Sequence, residues 1–144
     1  RGDVLPPSRS NPSDAGLDVY FCPADQKAIV IEPNGNQVLG TGLKFGVPHG
    51  YMLQAMNRSG MASKRCLVVG AHCIDSGYNG EVFIDLHNIG ESAQLIEAGT
   101  KIAQLVLVPV VTFRAVEARE DKLYDWSPIT ISNRGDGGFG STGI

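Results

Sequence analysis

No apolar run in the 144 residues is long enough to cross a bilayer as a helix. The first residues, Arg1-Gly2-Asp3-Val4-Leu5-Pro6-Pro7-Ser8, lack the apolar segment of a secretory signal. These two absences predict a soluble chain with no membrane partner, in the cytoplasm or another intracellular compartment, the nucleus included; a viral origin is equally open. A cationic excess is missing as well, since 12 Lys and Arg stand against 15 Asp and Glu for a formal net charge of −3. Direct nucleic acid binding by a broad basic field is therefore not expected, and any phosphate ligand must be held by a local cluster. Cysteine is scarce: Cys22, Cys66 and Cys73 are odd in number and form no Cys-x-x-Cys pair, which argues against a disulfide framework and for reduced core thiols. Cys66, His72, Cys73 and His87 also match no standard zinc spacing.

Sustained helical periodicity is absent, and short apolar runs broken by Gly, Pro and Asn take its place. Strands are expected over Leu17–Cys22, Lys27–Glu32, Gln37–Phe45, Tyr51–Met56, Cys66–Gly70, Glu81–Asn88, Ala93–Glu97, Lys101–Val110 and Phe113–Ala118. Many short strands at this spacing indicate an all-β sandwich, jelly roll or barrel. One helical window, Ser59–Arg65, follows Asn57 as a candidate cap, with backbone N–H groups free to meet an anion. Val82, Ile84 and Leu86 alternate with Phe83, Asp85 and His87, so one face of that strand is free to line a site. Asn79-Gly80 has the composition of a two-residue hairpin turn, which would carry Tyr78 to a hairpin tip. Residues 1–124 then form one β domain, and the Gly-rich residues 125–144 a mobile arm.

Three constellations carry chemistry, each with a plainer alternative. The arm holds Arg134, Phe139, Ser141 and Thr142 among glycines, which suits a flap closing over a polyanionic, base-bearing ligand; alternatively it is a disordered tail. Asn57-Arg58-Ser59-Gly60 with Lys64 sets two cations and a hydroxyl at a helix start, either a phosphate cradle or a solvated turn. Asp75 closes the apolar Cys73-Ile74 segment beside Tyr78, as a base that orients water or as a turn-capping Asp. Arg-Gly-Asp occurs at Arg1–Asp3 and at Arg134–Asp136, which an acidic intracellular chain makes a matter of chance.

Read in order, these segments resemble the five signature motifs of the trimeric all-β dUTPase family. Ala15-Gly16-Leu17-Asp18 resembles the first, Arg58-Ser59-Gly60 with Lys64 the second, and Ile74-Asp75 through Tyr78 and Gly80 the third. Gly99-Thr100-Lys101-Ile102-Ala103-Gln104-Leu105 resembles the fourth, and Arg134 through Gly143 matches the fifth almost completely. The resemblance implies a distorted jelly-roll (β-clip) barrel assembled as a homotrimer, with active sites at subunit interfaces that the arm of a neighbouring subunit closes. It implies hydrolysis of dUTP to dUMP and pyrophosphate, with Mg²⁺ held mainly by substrate phosphates and waters and not directly by the protein. That activity limits uracil in DNA and supplies dUMP for thymidylate synthesis. By resemblance, Asp75 orients the attacking water and Tyr78 packs on the deoxyribose. Ser59, Gly60 and Gln104 meet the phosphates, with Arg58 and Arg134 as charge partners. Phe139 covers the uracil, with Gly140, Ser141 and Thr142 beside it in the arm. Asp18 and Lys64 support this arrangement, Asp18 by orienting Arg58 or a metal-bound water.

Four positions depart from the family pattern: Asn57 in place of Pro, Lys101 in place of Arg, His72 in place of Gly, and Asp85 in place of an apolar residue. The related dCTP deaminases also resemble the Asp85 stretch, where their catalytic Glu aligns. Asp is one methylene shorter, Tyr78 is the dUTPase choice, and the complete fifth motif is absent from the deaminases. A non-catalytic nucleotide sensor on the same fold is the rival from another class.

Overall fold

Among the described residues, β-branched and leucine residues between Gly, Pro and Asn breaks form nine short strands: β1 (Leu17–Tyr20), β2 (Ile29–Ile31), β3 (Asn36–Gly40), β4 (Tyr51–Met56), β5 (Leu67–Val69), β6 (Cys73–Asp75), β7 (Phe83–Asn88), β8 (Gln94–Ile96) and β9 (Lys101–Pro109). The α-helix α1 (Ser59–Arg65) lies between β4 and β5, and a 3-10 turn spans Glu120–Lys122. The computed structural model describes residues 3–125, 135–140 and 143. The chain divides into two units, Arg1–Thr112 and Phe113–Ile144.

The first unit is the all-β jelly roll. Its sheets have the orders β1-β9-β4-β6, β2-β8 and β3-β7-β5, with every pairing antiparallel. Val19, Ala55 and Leu105 from the first sheet meet Leu39, Ile84 and Leu86 from the third and Ile31 and Ile96 from the second in one buried cluster. Met61 adds the buried face of α1. Among the described residues no helix is long and apolar enough to cross a membrane.

Asn88 ties this core together. Its Nδ2 donates to the Ile31 and Ser92 carbonyls at 2.9 and 2.8 Å, and its Oδ1 accepts from the Gly90 N–H at 3.0 Å. Asn88→Ala leaves three backbone groups without that partner in a residue 1% exposed. It is expected to cost about 2–3 kcal/mol, read as a fall in the thermal midpoint with no change in the pattern of substrates accepted.

Several boundaries differ from the sequence reading. β3 stops at Gly40, because Gly42 turns to φ +73° and the Thr41 hydroxyl donates to the Val82 carbonyl. Phe113–Ala118 is not a strand; Phe113 and Val116 are exposed, and a strand without a neighbour leaves its backbone groups unpaired. Asn57 does not cap α1: the N-cap is Arg58 without a side-chain bond, and Asn57 Oδ1 accepts from the Val69 N–H at 2.7 Å. Of the cysteines only Cys22 is a core thiol; Cys66 is half-buried and Cys73 exposed.

The tight turn falls earlier than Asn79-Gly80. The Tyr78 N–H donates to the Asp75 carbonyl at 3.2 Å, and Gly77, at φ +88°, takes the third position of the turn Asp75-Ser76-Gly77-Tyr78. Type II turns require such a φ there, which glycine adopts without strain. β6 and β7 do not pair with each other, so Tyr78 stands on a connection between two sheets and not at a hairpin tip.

Candidate functional site

Strand order brings three separate stretches of sequence together at one end of the first sheet. β9 lies between β1 and β4, so Gln104 pairs with Asp18 on one side and with Met56 on the other. Residues following Met56 lead directly into Arg58, Ser59 and Gly60 at the start of α1. Ser10, Asp14, Asp18, Arg58, Ser59, Gly60 and Gln104 consequently line one polar cavity of about 200 Å³.

Asp18 is the electrostatic centre of that cavity. Arg58 Nε lies 3.1 Å from its Oδ1 and Lys101 Nζ 3.0 Å from its Oδ2, while the carboxylate side chain is only 14% exposed. Gln104 is fixed by its Nε2, which donates to the Asn57 carbonyl at 2.9 Å. A Cβ on Gly16 would stand 2.7 Å from Gln104 Oε1, so any larger residue just before β1 would push that amide out of place. A guanidinium, a hydroxyl and an amide around one depression can bind an anionic chain of phosphates.

A second cavity, about 220 Å³, lies on the far side of β4. It is lined by Cys73, Ile74, Asp75, Tyr78, Glu81, Val82 and Phe83. Asp75 ends β6, where its backbone pairs with Met52, and its carboxylate is exposed. Tyr78 is pinned by its hydroxyl, which donates to the Glu81 carbonyl at 2.7 Å, and its ring lies against Gly80, where any Cβ would collide with it. The ring nevertheless remains 46% exposed. Cys73 Sγ lies 3.4 Å from Asp75 Oδ1; the carboxylate that accepts this bond, aided by desolvation and charge, pushes the thiol pKa up. The thiol therefore stays a neutral donor to Asp75. Sequence reasoning missed Cys73, Glu81, Ser10 and Asp14 as lining residues, because only the folded chain brings them to the cavities; the mixed face of β7 did signal Phe83.

Not every expected residue joins these cavities. Lys64 lies in a separate depression with Arg65, Cys66 and Gly90. Phe139 and Gly140 are described within the second unit, both exposed, whereas Arg134, Ser141 and Thr142 lie outside the described residues. His72 is exposed, and its carbonyl accepts from the Ala55 N–H at 2.9 Å, so its side chain projects from the sheet without disturbing the pairing. Asp85 receives Asn36 Nδ2 at 2.8 Å and pairs with His87 Nε2 at 2.9 Å. Partial burial pushes its carboxyl up, yet the bonds from Asn36 and His87 outweigh it and hold the pKa below the ordinary value. A carboxylate kept ionised and doubly engaged is poorly placed to shuttle protons in a deaminase.

An all-β jelly roll with a polar pocket that offers a guanidinium, a hydroxyl and an amide, and with a separate aromatic-edged cavity, has the build of a protein that handles a phosphorylated nucleoside. The dUTPase family model matches residues 4–143. The deoxyuridine 5′-triphosphate nucleotidohydrolase of Anaplasma marginale is 37% identical over 139 residues, covering 95% of this chain and 88% of the relative. That of Hydrogenobaculum is 37% identical over 146 residues, covering 100% and 94%. Among solved structures, the Staphylococcus bacteriophage 80alpha dUTPase with dUpNHpp superposes with a TM-score of 0.80 at 29% identity, over 100% of this chain and 95% of that one. A variant of the dUTPase from phage phi11 of S. aureus, described as coordinating a structural Mg(II) ion, has a TM-score of 0.74 at 27% identity, over 83% of this chain and 93% of that one. The chain belongs to the dUTPase family.

Proposed function

We propose that this protein hydrolyses dUTP to dUMP and pyrophosphate, at sites shared between subunits of a homotrimer. The observation that carries the reading is the pairing of an exposed carboxylate, Asp75, with a pinned aromatic ring, Tyr78, in one cavity. Asp75 orients the water that attacks the α-phosphorus, and Tyr78 packs on the deoxyribose. Arg58, Ser59, Gly60 and Gln104 hold the phosphate chain. The arm residues Arg134, Phe139, Gly140, Ser141 and Thr142 close over phosphates and base. Little covalent chemistry is asked of the protein, so positioning and charge neutralisation dominate.

The spacing of the two cavities supports shared sites. Asp75 pairs with Met52 and Gln104 with Met56, on opposite edges of β4. Four residues of strand separate them by about 13 Å along β4, and two strand spacings by about 10 Å across it. That separation favours a site in which Asp75 of one subunit works with the phosphate pocket of another.

Magnesium fits as a companion of the substrate. Both Asp18 oxygens are occupied by Arg58 and Lys101, and among the described residues no cluster of three or more His, Cys, Asp or Glu is placed to hold a metal. An ion in this pocket would be held mainly by triphosphate oxygens and waters, and Asp18 would orient Arg58 or accept from a metal-bound water. When bound, such an ion neutralises charge on the leaving pyrophosphate.

Pyrophosphate release with dUTP, dCTP, dTTP and UTP tests the reading: turnover should be confined to dUTP, and equal turnover of dCTP would overturn it. Tyr78→Ala tests the sugar contact. It is expected to raise the UTP to dUTP ratio of kcat/KM by about tenfold, because the ring excludes a 2′-hydroxyl sterically. Equal falls in both activities would make the ring structural.

A further inference from the structure

Regular alternation along β9 sets Lys101 on the face of Ala103 and Leu105, pointing into the core, and opposite to Gln104. The structure does otherwise. The register with β1 slips between Val19 and Tyr20: Val19 pairs with Ala103 but Tyr20 with Lys101, so β9 carries an extra residue. Ile102 and Ala103 are consecutively buried as a result, and Lys101 turns out to the face that bears Asp18 and Gln104. Such bulges re-aim side chains beside functional sites. The swung-out Lys101 stands 3.0 Å from Asp18 Oδ2, with its ammonium 6.0 Å from the centre of the Tyr20 ring.

Lys101 is not a lining residue of the polar cavity; Asp18 and Arg58 are. Its described link to that cavity runs through Asp18. With Oδ2 satisfied by the lysine, the carboxylate offers Oδ1 to Arg58 Nε, a single contact at 3.1 Å and not a two-pronged grip. The guanidinium keeps both terminal nitrogens for another partner. Without the lysine, the whole carboxylate charge falls on Arg58 and competes with any anion for it.

We propose that Lys101, turned outward by the bulge in β9, is a positioning residue that holds Asp18 so that Arg58 presents its terminal nitrogens to the substrate's phosphates. The proposal rests on the reading of this cavity as the phosphate pocket.

A double-mutant cycle tests it. Lys101→Met and Asp18→Asn are each expected to lower kcat/KM for dUTP about tenfold, mainly through KM, with the double variant no worse than the poorer single one. Lys101→Arg, which keeps the charge, should restore affinity. Multiplying losses would mean that Lys101 acts on the phosphates independently of Asp18, and would overturn the proposal. So would a fall in thermal midpoint with unchanged KM, or a Lys101→Arg variant as impaired as Lys101→Met. The same cycle is read by calorimetry with inorganic tripolyphosphate. If the wild-type protein bound tripolyphosphate with this coupling yet failed to turn over dUTP, the substrate assignment would fall and the role of Lys101 would stand.

Discussion

Asp75→Asn is expected to fold, to bind the non-hydrolysable analogue dUpNHpp, and to lose ~10²–10⁴-fold in turnover, the usual worth of a general base. The structure explains why folding should survive. Asp75 contributes to the sheet through its backbone, paired with Met52, while its exposed side chain makes one described contact, from the Cys73 thiol. An amide of the same shape keeps that packing and can still accept from the thiol, but it cannot take a proton from water. Single-turnover rates alongside calorimetric binding separate the two effects. Near-normal turnover would remove Asp75 from its assigned role; loss of binding together with turnover would make it a binding residue.

Removing Arg134 to Ile144 is expected to reduce hydrolysis about a hundredfold or more, on the scale of losing preorganised donors to a reacting phosphate, with little loss of thermal stability. All the residues of the buried cluster lie before Thr112, so the jelly roll keeps its core without the arm. Mixing the truncated protein with Asp75→Asn sharpens the test. If an arm closes a neighbour's site, a mixed oligomer joins an intact arm to an intact Asp75, and activity returns as subunits exchange. Failure to recover despite demonstrated exchange would count against donation of the arm between subunits.

Residue chemistry alone singled out Arg58, Ser59, Asp75 and Tyr78, because a cation with a hydroxyl at a helix start, or a carboxylate beside an aromatic ring, announces its chemistry wherever it stands, whereas Asp18 and Gln104 entered only through the resemblance of their motifs. The β class was legible too, since β4, β7 and β9 follow from apolar runs and alternation that depend only on neighbours in sequence. Pairing and register were not. They arise between residues distant along the chain, and a shift of one residue exchanges the two faces of a strand. Tertiary structure alone therefore decided that Gln104 lies between Asp18 and Met56, that the short β6 pairs with β4, and that Phe113–Ala118 finds no partner. It also decided that Asn57 serves Val69 instead of α1, because a side-chain oxygen takes whichever N–H the packed chain brings within reach. The outward turn of Lys101 is of the same kind: alternation assigns it to the core, and only the slipped register against β1 delivers its charge to Asp18.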